Sequence, residues 1–163
     1  MFNSIIIRIL LFVTLAFLVF MGSGIFLFSR SLDIINNILI AAFCLLLGII
    51  VLMRTFRGGP VTFHRIQGAI VVYLLISFVF ALLYHSLFIL NGSQAFRGLL
   101  VSDREELMYF SLTTITTTGY GDITPVNAAA RSLTNLEALI GQLYPAILIS
   151  RLVTLEVEYS RKN

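Results

Sequence analysis

Four apolar runs divide this chain, and its polar positions gather between them. Ile9–Phe28 and Ile34–Met53 hold no charged residue, and Ile66–Leu90 is notably polar only at Gln67 and His85. A hydrocarbon core about 30 Å thick takes about 20 apolar residues in a helix, so each run predicts a transmembrane helix. Leu133–Val153 makes a fourth, although Glu137, Gln142, Pro145 and Arg151 interrupt it. The links between runs are unequal: Ser29–Asp33 joins the first two, whereas Asn91 to Ser132 separates the last two.

That long link has its own pattern. After a turn-like Asn91–Gln94, the segment SDREELMYFSLTTITT (Ser102–Thr117) predicts a helix of about three turns, with Ser102 as N-cap and Glu105 at the third helical position. Asp103, Glu105 and Glu106 fall where the helix dipole favours negative charge. Its second half, Met108–Ile115, is apolar and aromatic and predicts burial in protein or membrane. Helical character then stops at TTTGYGD (Thr116–Asp122), and Pro125 follows soon after. Irregular backbone at membrane depth is tolerated only where it is buried in protein or lines a water-filled path. A helix that dips in, breaks and climbs out therefore implies a pathway.

Composition agrees with a membrane protein: of 163 residues, 58% are hydrophobic and 12% charged, with a mean hydropathy of +0.98. Arg54, Arg57 and Arg65 make the link after the second run basic and free of acids, which places it in the cytoplasm. Both termini are then expected inside a multi-pass cell (inner) membrane protein, with the link after Leu90 facing outward. The first run is too long for the core of a cleaved leader and is expected to be a retained span. Cys44 reads as a small buried residue, and the net charge of +3 reflects loop arginines near lipid headgroups, with no basic block suggesting nucleic acid. His64 and His85 are candidates for pH sensing, with plain packing the simpler role for each. No pair of His, Cys or carboxylates has metal-ligand spacing and no nucleophile is set beside a base, so neither an enzyme nor an organic cofactor is expected.

The stretch YFSLTTIT followed by TTGYGDITP resembles the pore loop of potassium channels, and the resemblance extends over roughly Ile66–Leu155. It implies an all-α membrane protein of four transmembrane helices, with a re-entrant pore helix and selectivity filter between the third and fourth. Residues 1–56 would form an N-terminal two-helix hairpin, 57–65 a basic cytoplasmic loop, 66–157 the pore domain and 158–163 a cytoplasmic tail. A dehydrated K⁺ needs a ring of backbone carbonyls, and Gly119 and Gly121 allow the φ > 0 conformations that turn successive carbonyls the same way. By similarity, Thr117, Thr118, Gly119, Tyr120 and Gly121 line the ion sites, and the Thr117 hydroxyl adds the innermost ring. Tyr120 packs behind the filter, and Tyr109, Phe110 and Asp122 support it, with a Tyr109–Asp122 hydrogen bond. Thr118 stands where the usual residue is Val, and Thr113 where some members carry a buried acid.

One such loop makes one wall, so the resemblance implies a homotetramer in the lipid bilayer, with K⁺ as transported ion. Gly141 matches the family's inner-helix hinge, and Pro145 cannot donate a hydrogen bond to the Gly141 carbonyl, so the turn between them is expected either to bend on opening or to hold a fixed kink. Glu137 is a candidate for coupling gate to filter, or for plain packing; Gln142 faces either the cavity or a neighbouring subunit. The readings that remain open are a K⁺-selective channel, a poorly selective cation channel, and a non-conducting accessory or structural subunit.

Overall fold

The computed structural model describes residues 30–55, 63–99 and 103–161. It divides into two compact units, residues 1–36 and 37–163; of the first, Arg30–Asn36 are described and form the opening turns of a helix. The expected span Ile9–Phe28, most of the 57–65 loop and Ser102 lie outside the described residues.

Among the described residues four α-helices dominate: α1 (Arg30–Thr55), α2 (Phe63–Asn91), α3 (Arg104–Ile115) and α4 (Ala128–Ser160). Three of them, α1, α2 and α4, are long and apolar enough to cross a bilayer among the described residues. α2 starts at Phe63, so His64 and Arg65 sit on its first turn rather than in a loop. α4 starts at Ala128, five residues before its apolar run, because the Asn127 side chain caps it by accepting the Ala130 N–H at 2.7 Å.

Within residues 37–163, α1 and α2 meet at two levels in opposite order. Asn37 reaches His85 and Ser86 at one level, while Gly68 passes Thr55 and Val51 at the other, so the two helices run antiparallel. Asn37 is fully buried; its amide nitrogen donates to His85 Nδ1 at 2.8 Å and to Ser86 Oγ at 3.3 Å. His85 is therefore a buried, hydrogen-bonded contact between helices.

Among the described residues two short strands lie between the C-terminal end of α2 and the N-terminal end of α4. β1 (Phe96–Arg97) follows a 3₁₀ turn, Gly92–Gln94, that continues directly from α2. It pairs antiparallel with β2 (Thr124–Pro125), Phe96 opposite Pro125 and Arg97 opposite Thr124. The core lies beneath this ribbon and between α2 and α3. Tyr84, Phe96 and Phe110 meet edge to face, with ring centroids 5.0 to 5.6 Å apart, in a cluster closed by Phe80, Leu107 and Ile123. Each such aromatic pair adds about 0.5–1.5 kcal/mol beyond area burial. The core thus fixes α3 against α2 directly behind the Thr/Gly segment.

α4 buries one face, of which Ala130 joins this core. Ala130, Glu137, Gly141 and Leu155 are buried at helical spacing, while Leu136, Leu139, Leu143, Ile147 and Ile149 are exposed.

Candidate functional site

α3 begins at an acidic cap. Asp103, rather than the expected Ser102, is the N-cap: its backbone is extended and its side chain accepts the Glu105 N–H at 2.9 Å. Both residue types suit the position, and an aspartate adds full negative charge at the positive end of the helix. α3 ends at Ile115, where the sequence pattern stops. Thr113 and Thr114 donate their hydroxyls to the Phe110 carbonyl at 3.0 and 2.8 Å, and Thr116 donates to Leu112 at 2.7 Å. Since the Thr116 hydrogen is committed to Leu112, the 2.9 Å contact between Thr116 and Thr118 hydroxyls is donated by Thr118.

Past the helix the backbone N–H groups fold back. The Thr117 N–H reaches the Thr114 carbonyl at 2.9 Å, and those of Thr118 and Gly119 share the Thr113 carbonyl at 2.8 and 3.1 Å. These peptides are trans, so each carbonyl points opposite to the next N–H. The carbonyls of Thr116, Thr117 and Thr118 therefore project away from α3. The φ angles alternate in sign, positive at Thr117 (58°), Gly119 (53°) and Gly121 (81°) and negative at Thr118 and Tyr120. For the glycines this conformation is easy; for Thr117, β-branched, it costs about 1–2 kcal/mol and is held by the bonds on either side. Sequence reasoning assigned this freedom to the glycines and missed Thr117. Residues 116 to 122 are all exposed on the single chain.

At the C-terminal end of the segment, Tyr109 donates its hydroxyl to Asp122 Oδ2 at 2.7 Å, and Asp122 Oδ1 accepts the Ile123 N–H at 3.0 Å. The bond to Asp122 pushes the Tyr109 hydroxyl up to about 12, and the same bond lowers the Asp122 carboxyl below its ordinary range. The Tyr120 ring stacks on Tyr109, centroids 6.2 Å apart and nearly parallel, yet Tyr120 remains 72% exposed.

Behind α3 lies a buried polar cluster. Glu137 of α4, fully buried, accepts the Tyr84 hydroxyl at 2.6 Å and is hydrogen-bonded to Ser111. Ser111 also bonds the Ser77 carbonyl at 2.7 Å and meets the Ser77 hydroxyl at 2.9 Å. One carboxyl group thus ties α2, α3 and α4 together. Tyr84, Ser77 and Ser111 were not singled out by the sequence reading. Tyr73, Ser77 and Tyr84 fall on one face of α2, four and seven residues apart, and that polar stripe in an apolar span is the signal that marks them.

Gly141 supports α3 by close approach. A Cβ there would overlap the Ile115 carbonyl oxygen and lie 2.8 Å from its carbon, so only glycine lets α4 pass the end of α3 at this distance. The same carbonyl accepts the Tyr73 hydroxyl at 2.7 Å, and Tyr144 bonds the Ala69 carbonyl at 2.8 Å nearby. α4 continues through Pro145, which lines an apolar recess with Ala69, Tyr73 and Tyr144, while Gln142 is exposed. The structure thus brings Tyr109 to Asp122 and Tyr120, and places Phe110 in the core. It sets Glu137 and Gly141 against different levels of α3.

Three bilayer-length helices among the described residues, two of which pack with α3 on an apolar and aromatic core, define a helical membrane protein. A family model described as an ion channel matches residues 68–158, from the first turns of α2 to the end of α4, and the chain belongs to that pore-loop ion channel family. No curated protein and no solved structure matched the chain.

Proposed function

We propose that the chain is a potassium-selective channel that conducts passively through a homotetrameric pore. In this reading Ile9–Phe28 and α1 form two accessory spans, α2 is the outer helix, α3 the re-entrant pore helix and α4 the inner helix. Residues 117–121 are the filter, with both termini in the cytoplasm and the β1–β2 ribbon outside.

The observation that carries the reading is the set of N–H groups of Thr117, Thr118 and Gly119 turned back onto α3, with φ alternating through Gly121. Such a backbone presents its carbonyls in a row to one side, and four rows around an axis replace the water shell of a dehydrated K⁺. The exposure of residues 116 to 122 on the single chain supports it, because a filter wall is completed only by its neighbours. Thr118 alters a side chain and leaves the carbonyl row in place, which supports selectivity for K⁺. Glu137 and Gly141, which touch α3 from the inner helix, are the gating candidates, with Pro145 and Gln142 on the same stretch.

Purified protein in liposomes with a K⁺ gradient tests the reading. Selective K⁺ flux that Gly119→Ala abolishes without loss of expression is the expected result. A reversal potential indifferent to exchange of K⁺ for Na⁺ would indicate a poorly selective cation channel, and silent vesicles an accessory subunit.

A further inference from the structure

The exit of the Thr/Gly segment is braced by a second piece of backbone, the strap 95–99. Gly98 follows β1 directly and, by continuation of the register Arg97 to Thr124, faces Ile123. Its φ is +88°, and a Cβ built on it would overlap the Asp122 carbonyl oxygen, 3.1 Å from the carbonyl carbon and 3.3 Å from Ile123 Cα. Backbone therefore rests on backbone, with no side chain between that could yield.

Neither partner is free to retreat. On one side Ala95, Phe96 and Leu99 are buried, and the Ala95 carbonyl accepts the Val126 N–H at 2.8 Å, so the strap 95–99 is fixed before and after Gly98. On the other, Asp122 is held by Tyr109 and by its own Ile123 N–H. A side chain at position 98 must displace Asp122, and Asp122 is the residue next to the last positive-φ glycine of the loop.

We propose that Gly98 is a positioning residue for ion selection: its bare Cα lets the strap seat the Asp122 backbone, which sets the height and width of the outer end of the carbonyl row. The proposal rests on the channel reading above and adds a determinant outside the filter motif.

Gly92 provides a matched control. It also has positive φ, +60°, yet a Cβ there meets nothing within 4 Å. Asparagine tolerates the left-handed region better than other side chains, so Gly98→Asn keeps the collision while relieving backbone strain, and Gly92→Asn carries the same side chain without a collision. K⁺ and Na⁺ fluxes are measured in proteoliposomes for wild type and both variants, each first checked for wild-type elution on size exclusion. Gly98→Asn is expected to lower the K⁺-over-Na⁺ flux ratio roughly tenfold, the scale of one lost charge-assisted hydrogen bond at Asp122, with Gly92→Asn unchanged. Adding Tyr109→Phe to Gly98→Asn is expected to cause little further loss, because both act on Asp122.

A Gly98→Asn ratio equal to wild type overturns the proposal, as does equal damage from Gly92→Asn, which would make left-handed strain the cause. Gly98→Asn protein that never reaches the wild-type elution volume also overturns it, since Gly98 would then serve folding rather than filter position. A wild type without K⁺ flux removes the channel reading itself, an outcome separate from the other three.

Discussion

The Tyr109–Asp122 hydrogen bond joins two groups that titrate at opposite ends of the pH scale, so its contribution has two edges. The folded Asp122 carboxyl lies below its ordinary value, so its share of stability is present at neutral pH and is lost as pH falls through that lowered value. Tyr109 lies above its ordinary value, so its share is complete below the normal tyrosine range and is lost as pH rises through about 12. Both groups are solvent-accessible, and the effect should be clearer in ion flux than in melting temperature. In tyrosinate absorbance, Asp122→Asn is expected to move one late-titrating ring, that of Tyr109, down toward the normal range. K⁺ flux is expected to fall on acidification earlier in Tyr109→Phe than in wild type. The pair was legible in the sequence from the resemblance alone, because thirteen residues and a break in the helix separate its members. The left-handed Thr117 was not legible, since nothing local marks a β-branched residue for that conformation and only its bonds to α3 impose it.

At the level of helices, α3 is set from both ends. Removing its cap with Asp103→Ala is expected to cost about 1 kcal/mol, seen as a lower midpoint in thermal unfolding of the solubilised protein. Glu137 makes a sharper case. Glu137→Gln retains an acceptor for Tyr84 and a polar partner for Ser111 and is expected to assemble normally. Glu137→Ala removes the carboxylate acceptor of Tyr84 at a cost of about 1–3 kcal/mol, while Ser111 keeps the Ser77 carbonyl, and the loss should be largest in protection of α3 against hydrogen exchange. Equal behaviour of the two variants would remove the cluster from the account of how α4 holds α3. The end of α3 could be read from sequence because Thr and Gly signals are local. The start shifted by one residue because Ser102 and Asp103 are both competent caps. The β1–β2 ribbon was hidden, since Phe96 pairs with Pro125 across a helix and a loop and neither strand is long enough to show alternation. Gly141 drew attention as a point of bending; its contact with Ile115 depends on how α4 lies over α3, which no spacing along α4 encodes.

For the whole molecule, the charge distribution and the open face of the loop lead to separate expectations. A voltage sensor needs several Lys or Arg within a span, each gaining about 2.3 kcal/mol per 100 mV, and neither Ile9–Phe28 nor Ile34–Met53 contains one. Steady-state conductance is therefore expected to vary little with voltage from this source, and a steep conductance–voltage curve with measurable gating charge in these spans would contradict it. Subunit number can be read through the loop. In the proposed ring every copy supplies one wall, so one Gly119→Ala wall spoils the shared axis. Co-expressing wild type and Gly119→Ala at equal levels with random mixing leaves about one-sixteenth of fourfold rings without a defective wall. K⁺ flux per unit of protein is then expected to fall to about that fraction of the wild-type value, given the proposed fourfold symmetry. A fall to about one-half would mean that each chain conducts alone, and a fall to about one-quarter that two copies suffice. Either result would detach the carbonyl row from a fourfold axis, because the exposed segment 116 to 122 would then need some other surface to complete its ion sites.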